Sequence, residues 1–550
     1  MVCEIARVRL AFRDEDGTLS FAPMSTRPPM IRGGKALTAV AFVVALVSVV
    51  WSVGSIRRWM EENRDSAAQE AGGRRYREPE IRDGPLPKPT LALAAFAHRR
   101  PASEVNRAAD LFSTTNFWTV HLRFAPGQWA AIEPRQIEPL EQQRGPGSRF
   151  ELRNPAARRN GLSGVRGIEF DWVHGTLEFE DRSIPDVAIR YKGNGTYLRS
   201  QQTAKRPFKV DLDEFSPNAP LAGRTTLNFA NLVVDDSCLH DTLGYEMYRD
   251  AGVPAPRTSF ARLFLTTGDA PPDYLGVYAL VENVDKPFAE ERFGTRQGAL
   301  FKPVTTELFS DLGDDWSAYD GIYDPKNRLT RAQSDRVIEF ARLLTHADDS
   351  VFAARVGEFV DLEEFARFLA VTVLLSSYDG FLNNGQNFCL WLSPDTRQFQ
   401  FIPWDLDNAW GKFGSTGSAP DRAQASIRRP WMGRHRLLER IMAVPEFERR
   451  YLQSLETLLA TVFIPERLHR RVDELAALLR PVVAEESPRK FARFEQAVSM
   501  TSLAEPGAEG REFGRNRRPH PLKWFITERA RSVREQLAGT SEGVILERWR

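Results

Sequence analysis

The sequence of 550 residues has few cysteines and almost no net charge. Its three cysteines, Cys3, Cys238 and Cys389, are scattered and form no C-x-x-C pair, so neither a disulfide framework nor a cysteine-based zinc site is predicted. The formal net charge is +1, which gives no argument for nucleic acid as a partner. With 42% hydrophobic and 27% charged residues, the chain has an ordinary globular composition and is long enough for one large domain or two lobes.

Long uncharged segments are also scarce, and one candidate membrane segment stands out at residues 36–56. Its sequence, ALTAVAFVVALVSVVWSVGSI, is long enough to cross a hydrocarbon core. A cleavable signal peptide is the alternative. Its apolar part would usually be shorter and would end at a small-x-small site, and no convincing site of that kind follows Ile56. We therefore predict an uncleaved, single-pass transmembrane helix.

The positive charges that flank this segment are nearly balanced. Arg27, Arg32 and Lys35 precede it, and Arg57 and Arg58 follow it. Positive charges favour the cytoplasmic side, so this difference does not decide the orientation by itself. A short basic tail before an uncleaved anchor commonly stays inside and sends the long carboxy-terminal part out. We therefore place the folded region outside the cytoplasm.

The periodicity of apolar residues divides the rest of the chain into a β-rich part and a helical part. Strand-like alternation, as in residues 117–124, marks the first part, and apolar residues at helical spacing mark the second. The pattern predicts an α+β fold class. The predicted segments are a polar tail (1–35), the anchor (36–56), a flexible tether (57–101), a β-rich region (102–285) and a helical region (286–550).

The most informative stretch is residues 377–411, SSYDGFLNNGQNFCLWLSPDTRQFQFIPWDLDNAWG. Two aromatic-rich apolar runs flank a Ser-Pro-Asp turn signal, which predicts a β-hairpin over residues 387–404. Such a hairpin would bring the residues that follow its second strand back beside those that precede its first. Carboxylate and amide oxygens could then share a cation, although Asp and Asn also commonly cap turns. The candidates are Asp379, Asn384, Asn387, Asp405 and Asp407.

The spacing of these residues is that found in protein kinases. There, a catalytic Asp is followed five positions later by an Asn that binds Mg²⁺, and a further Asp after a hairpin holds the metal against the nucleotide phosphates. Asp379 and Asn384 have this spacing, and Asp405 follows the second predicted strand. This chain differs from protein kinases in two features. No His-Arg pair precedes Asp379, and the sequence after the hairpin is Asp-Leu-Asp.

The β-rich region offers candidate nucleotide-binding residues. Gly193 and Gly195 lie in a short turn whose backbone N–H groups could approach a phosphate, although an ordinary hairpin loop gives the same pattern. Lys209 lies on the next strand, where a solvated basic strand end is the alternative. Glu282 ends a later strand and begins a predicted hinge, where backbone groups could contact an adenine edge. A helix after Ser237 carries Glu246 and Asp241, two competing partners for Lys209.

Several motifs occur together and in order: YKGNG, RPFK, LNFAN, GVYALVENVD, DGFLNNGQNF and FIPWDLD. Together they resemble the CotH family, the spore-coat-protein-H-like atypical kinases. The resemblance covers roughly the chain from Phe117 to the helical C-terminal region. Members of that family often have His before the second Asn, where this chain has Gln386.

The resemblance implies a two-lobed protein-kinase-like fold and transfer of the γ-phosphate of ATP to a hydroxyl, with protein Ser/Thr as acceptor and Mg²⁺ or Mn²⁺ as cofactor. Asp379 would accept or orient the proton of the hydroxyl. Asn384 and Asp405 would hold the metal, with Asn387 and Asp407 as further candidates, and Lys209 would steady the phosphates. The departures from the motifs leave open a catalytically inactive, membrane-tethered binding or coat-assembly protein. The requirement for ATP is the main argument against a location outside the cytoplasm.

Overall fold

The computed structural model describes residue 101 and residues 105–136, 168–503 and 520–547, except residues 116, 194, 201, 202, 415 and 416. It also describes a pair of short antiparallel strands near the amino terminus, β1 (Phe12–Arg13) and β2 (Leu19–Ser20). The chain forms two compact units, residues 1–84 and residues 85–550. The predicted anchor at residues 36–56 lies outside the described residues. Among the helices that are described, none is long and apolar enough to cross a membrane.

Seven strands of the second unit close into a barrel. The barrel strands are β3 (Phe117–Phe124), β6 (Val173–Phe179), β7 (Arg182–Tyr191), β8 (Phe208–Asp211), β9 (Thr226–Ala230), β10 (Thr258–Thr267) and β11 (Asp273–Glu282). The order around the barrel is β3-β10-β11-β9-β8-β7-β6, and β6 pairs again with β3. Only β3 and β10 run parallel among these pairs. Because a closed barrel has a filled interior, apolar side chains such as Val120, Ile189 and Val210 are fully buried inside it.

Short elements surround the barrel. They are the helices α1 (Ala108–Leu111), α2 (Pro126–Ala131) and α3 (Gly195–Arg199) and the strand pair β4 (Arg135–Gln136) and β5 (Ile168–Glu169). The first long helix, α4 (His240–Asp250), packs between the barrel and the helical region. Leu239, Leu243 and Met247 are buried on one side of it, as their spacing of four residues predicts.

The predicted hairpin is confirmed. Strand β12 (Ala299–Phe301) pairs with β13 (Phe388–Leu392), which pairs in turn with β14 (Phe399–Pro403), and all pairs are antiparallel. Pro403 lies opposite Phe388, and the N–H group of Trp404 donates to the carbonyl oxygen of Asn387 over 3.1 Å. The residues that follow β14 are therefore held beside those that precede β13.

Helices make up most of the remaining chain, as the periodicity predicts. They are α5 (Lys286–Phe293), α6 (Ser317–Tyr323), α7 (Arg331–His346), α8 (Asp349–Arg355), α9 (Leu362–Leu374), α10 (Ala419–Ala423), α11 (Arg436–Met442), α12 (Pro445–Thr461), α13 (Pro465–Glu486), α14 (Pro488–Ser499) and α15 (Leu522–Leu537), with a 3₁₀ turn at Val356–Glu358. Helix α9 is the most buried of the long ones and leads directly towards Asp379. The chain therefore combines a β-rich and a helical region, which agrees with the predicted α+β class.

Helices α13 and α14 attach the helical region to the barrel side through ion pairs. The ammonium group of Lys205 lies 2.7 Å from both carboxylate oxygens of Glu486, at the end of α13. The same carboxylate accepts the N–H group of Val277 on β11. Gly276 has a φ of 114°, and a Cβ atom there would lie 2.4 Å from Glu486 Oε2, so a side chain at this position would be strained and would displace the carboxylate. Arg493 on α14 forms a second pair with Asp236 at 2.8 Å.

Candidate active site

The loop after α9 is folded around the side chain of Asp379. Asn384 donates to Oδ1 of Asp379 over 2.7 Å, and Gln386 donates to the same atom over 3.3 Å. Asn387 donates instead to the backbone carbonyl oxygen of Asp379 over 2.7 Å. The five-residue spacing thus brings Asp379 and Asn384 into direct contact. The glutamine at position 386 contributes its amide to the same carboxylate.

A residue that the sequence analysis missed completes the surroundings of this carboxylate. Asn408 donates to Oδ2 of Asp379 over 2.8 Å and to Oδ1 of Asp407 over 2.9 Å. Burial and the negative charge of Asp405 raise the pKa of Asp379 to about 6, whereas the hydrogen bonds from Asn384 and Asn408 lower it. Asp379 therefore remains mostly ionised at neutral pH and can take up a proton near that pH.

Helix α4 holds the Asp405–Asp407 turn from the other side. The N–H group of Asp405 donates to the hydroxyl of Tyr245 over 2.9 Å, and that of Leu406 donates to Asp241 over 2.8 Å. The ring of His240 lies 2.9 Å from the carbonyl oxygen of Asp407. Asp405 has a left-handed backbone with φ of 56°, a conformation that costs energy in a residue other than glycine. The helix thus supports a strained turn next to Asp379.

The carboxylates of the site affect one another. Burial and then the charge of Asp405 raise the pKa of Asp241 to about 7. Burial, Asp405 and Asp241 raise the pKa of Asp407 well above its ordinary value. The carboxylate of Asp405 itself is exposed and accepts no hydrogen bond from any described residue. A bound cation would reduce the repulsion between these carboxylates.

The oxygen set fits Mg²⁺ only if other ligands complete it. Across the described ranges, no three His, Cys, Asp or Glu side chains are placed to hold a metal by themselves. Mg²⁺ is usually held by one or two carboxylates, with water and phosphate oxygens filling the other positions. Asn384 Oδ1 already accepts a hydrogen bond from Asn383, whereas Asn387 Oδ1 accepts none from the described residues. Both amides remain candidates beside Asp405 and Asp407.

Lys209, the predicted phosphate contact, lies on the barrel strand β8 between Arg190 and Asn228 of the neighbouring strands. Burial and the positive charges of Arg190 and Lys192 lower its pKa to about 7. Neither of the acids considered as its partner pairs with it. Glu246 binds Arg471 at 2.7 Å and Asp241 accepts from Leu406.

Two further lysines lie near Asp405 and were not predicted. The ammonium groups of Lys192 and Lys302 lie 5.6 and 5.1 Å from the ring centre of Trp404. Burial lowers the pKa of each lysine, and the charge of Asp405 acts in the opposite direction on both. Lys192 directly precedes the glycine turn, so the turn offered a signal for it. Lys302 directly follows β12, more than 70 residues before residues 377–411, and no motif of the sequence points to it.

The other predicted nucleotide contacts lie in two different places. Gly193 has a left-handed backbone with φ of 68°, and Gly195 begins α3 directly after the turn. Glu282 is fully buried at the end of β11. Its side chain accepts hydrogen bonds from three arginines, and its N–H group donates to Arg257. The arginines are Arg224, Arg257 and Arg292. The next residue, Asn283, accepts a hydrogen bond from the side chain of Asn228. Asn228 lies on β9, opposite Lys209 of β8.

Two comparisons with known proteins identify the same family. The family model described as "CotH kinase protein" matches residues 189–533, which include every residue discussed in this section. The inner spore coat protein H of Bacillus subtilis (strain 168) is 26% identical over 302 residues, which is 54% of this chain and 78% of that protein. The match extends from the barrel strand β7 to α15 and so spans both sides of the candidate site. This chain belongs to the CotH family.

Proposed function

We propose that this protein is an atypical kinase that transfers the γ-phosphate of ATP to a hydroxyl group of a protein Ser or Thr. The observation that supports this most directly is the ionisable carboxylate of Asp379, held by amides next to the exposed carboxylate of Asp405. The family description as a kinase supports the same reaction class. In this proposal the barrel and the helical region correspond to the two lobes of a kinase, with the nucleotide between them.

Asp379 is the proposed base. The acceptor hydroxyl oxygen attacks the γ-phosphorus, the bond from that phosphorus to the β,γ-bridging oxygen breaks, and ADP leaves. The hydroxyl proton passes to Asp379, whose raised pKa suits it to hold a proton briefly and release it to water. The amides of Asn384 and Asn408 fix the carboxylate towards the acceptor, so that little rearrangement is needed during transfer.

The acidic residues after β14 are the proposed metal ligands. Asp405 and Asp407, with Asn384 or Asn387, would hold Mg²⁺ or Mn²⁺. Bound metal would offset the charge of the phosphates and orient them for in-line attack. Lys209 would steady the phosphates from the barrel side, and the Gly193–Gly195 turn would allow a close approach of the backbone.

A radiolabelled ATP transfer assay on the full chain tests this function, with Mg²⁺ or Mn²⁺ and with both the protein itself and casein as acceptors. Asp405→Asn keeps the size of the side chain but removes a charge, so transfer should fall by roughly 10²-fold or more while the fold survives. Asp379→Asn should lose transfer but keep nucleotide binding. Asp395→Asn, at the exposed far end of the same hairpin, is the matched control and should remain active. Equal activity of Asp405→Asn and wild type would refute the metal assignment.

A second function is favoured by one observation. Both carboxylate oxygens of Asp379 already accept amide hydrogen bonds, which is also what a carboxylate with a purely structural role would do. The protein would then bind a nucleotide without turnover and act in assembly, as the name of its spore coat relative suggests. Nucleotide binding by the wild type, together with no phosphate transfer or release under any metal, would support this alternative.

We also propose that residues 36–56 anchor the protein in a membrane with the catalytic region outside the cytoplasm. The support is the uncharged sequence of that segment and the short basic tail before it. A protease added to intact cells should digest the region after Arg58. Complete protection, with digestion only after lysis, would reverse the orientation.

A further inference from the structure

We infer that the arginine segment, residues 428–436, is a docking surface for an anionic part of the acceptor protein. Its sequence is RRPWMGRHR. The anionic groups that it fits are glutamate and aspartate side chains or phosphorylated residues, a few positions before or after the hydroxyl that receives the phosphate. The inference rests on the proposed function for the identity of its partner, whereas the surface follows from the contacts and charges of the segment.

The arginine segment is bonded to the loop that carries Asp379. The N–H group of Met432 donates to the carbonyl oxygen of Leu382 over 2.9 Å. Nε2 of His435 lies 3.1 Å from the carbonyl oxygen of Phe381. Because successive Cα atoms are about 3.8 Å apart, the backbone at Met432 lies at most roughly 16 Å from that of Asp379. About five extended residues of a bound peptide span that distance, so a peptide with its hydroxyl at Asp379 can reach the segment.

Three arginines of the segment have no acidic partner. No carboxylate oxygen of the described residues lies within 4.0 Å of their guanidinium nitrogens. They are Arg429, Arg434 and Arg436. Two acids that follow the segment are bound elsewhere, because Glu439 accepts the N–H group of His435 and Glu448 pairs with Arg428 at 2.9 Å. The segment therefore has three positive charges that no acid of the described chain pairs with.

Arginines of the helix that follows are arranged differently. On α12, Arg449 and Arg450 both pair with Glu446, at 3.8 and 2.7 Å. In the arginine segment, Arg434 is exposed and the other two unpaired arginines are half-buried, so all three can contact a partner. A guanidinium group binds a carboxylate or a phosphate through two parallel hydrogen bonds. Three such groups spread over eight residues fit several anionic side chains of an extended peptide better than one small anion.

Fluorescence anisotropy of labelled peptides, titrated with the full chain, tests the inference without requiring turnover. Each peptide has a central Ser with three Glu before it, three Glu after it, or three Ala or three Lys in either place. One of the two Glu peptides should bind about tenfold more tightly than the Ala and Lys peptides, and added salt should weaken it. A phosphoserine version of that peptide separates the two sources of charge. Binding at least tenfold tighter than Glu identifies a phosphorylated acceptor, and a smaller difference identifies an acidic one.

Variants of the arginines test which side chains bind the peptide. Arg429→Gln, Arg434→Gln and Arg436→Gln should each weaken the preferred Glu peptide about two- to fivefold, as for ion pairs near a protein surface, and the triple variant about tenfold or more. Arg470→Gln is the matched control, because Arg470 is an exposed arginine of α13 that also has no ion pair among the described residues. Its affinity should stay within about twofold of wild type. Arg434→Glu should bind the Lys peptide more tightly than wild type does, and thermal unfolding checks that each variant is folded.

Phosphate transfer to the same peptides separates this inference from the proposed function. The arginine variants should raise KM for the Glu peptide and leave kcat and the KM for ATP unchanged, whereas damage to the loop that carries Asp379 would lower kcat. If the wild type binds the Glu peptide through these arginines but transfers no phosphate, the docking surface stands and the kinase proposal fails. If it transfers phosphate with no preference for anionic peptides, or with a preference that the folded triple variant keeps, the kinase proposal stands and the docking surface is wrong. Equal binding of the Glu, Ala and Lys peptides by the wild type would also overturn the inference.

Discussion

The acidic and basic halves of the candidate site are built differently. In the acidic half, Asp379 and Asp407 accept hydrogen bonds from nearby amides, and α4 binds the backbone of the Asp405 turn. In the basic half, Lys192, Lys209 and Lys302 have no ion-pair partner among the described residues. The first half is held in place by the protein itself. In the second half, the charge of Asp405 acts on Lys192 and Lys302 without forming an ion pair with either.

This difference indicates what each half needs from a ligand. The acidic half has a fixed geometry and needs a cation to reduce repulsion between carboxylates. The basic half has its positions set by β7, β8 and β12, and a bound anion would reduce the repulsion between its lysines. Changes to the backbone of the acidic half should therefore reduce stability, whereas removal of an unpaired lysine of the basic half should not.

The largest effect is expected from Gly385→Ala in the acidic half. Gly385 has φ of 63°, and a Cβ atom there would lie 1.8 Å from the backbone oxygen of Thr305. Since backbone cannot move aside cheaply, we expect a loss of roughly 3 kcal/mol or more in the free energy of unfolding, measured by urea denaturation. The control is Gly294→Ala, with φ of 73° but no atom within 4 Å, which should cost only about 1 kcal/mol. Equal losses would mean that the contact with Thr305 does not hold the loop.

A comparison of two lysines sharpens the contrast within one segment. Lys205 is paired with Glu486, so Lys205→Met leaves a shielded carboxylate without its partner and should cost roughly 3–5 kcal/mol in the free energy of unfolding. Lys209 has no such partner, and Lys209→Met removes a charge whose presence is unfavourable in the free protein. Its stability should stay equal to wild type or rise. A similar loss in both variants would show that Lys209 has a structural partner after all.

Removal of the amide of Asn408 should affect activity more than stability. Asn408→Ala takes a hydrogen bond from Asp379 and another from Asp407, so both carboxylates lose part of their orientation. We expect phosphate transfer to fall by roughly 10- to 100-fold, as for other residues that orient a reacting group. Asn218→Ala, which removes amide contacts to Pro185 and Leu212 on the barrel surface, should leave transfer unchanged. Wild-type transfer by Asn408→Ala would remove this residue from the site.

The smallest effect concerns the reactivity of Lys209. With a pKa of about 7, its amine is mostly neutral above that pH and protonated below it. Its acylation rate should therefore level off above about pH 8, whereas an ordinary lysine with a pKa of about 10.4 continues to react faster as the pH rises. If Lys209 steadies the phosphates of ATP as proposed, ATP with Mg²⁺ favours the ammonium form and should slow labelling several-fold at pH 8. Mass spectrometry of the labelled peptides measures both effects, and a rate that still rises at pH 10 would contradict the lowered pKa.

Much of the local structure was predictable because it depends on near neighbours. The alternation of apolar residues in 117–124 predicts β3, and the two aromatic runs around a turn predict the hairpin of β13 and β14. Closure of the barrel was not predictable. It depends on the parallel pairing of β3 with β10, about 140 residues later, which no local pattern encodes. The predicted anchor and most of the tether lie outside the residues that the structure describes.

The same distinction explains the prediction of the site. Asp379, Asn384 and Asp405 lie within one short stretch, and the spacing of a hairpin brings them together. Asn408 lies in that stretch too and could have been found as one more amide after the second strand. Lys302 could not, because its place beside Trp404 follows from the pairing of β12 with β13. Glu282 is held by arginines from three separate segments, a set that only the folded chain reveals.

The ion pair between Lys205 and Glu486 also matters for how the chain is made. Its partners are 281 residues apart in sequence, and the barrel that carries Lys205 is synthesised first. At the usual rates of translation, Glu486 follows roughly 15 to 55 s later. During that interval a newly made barrel would hold an ammonium group without its carboxylate. We therefore expect ribosome-bound chains that stop before α13 to be more easily digested by proteases than chains that include it.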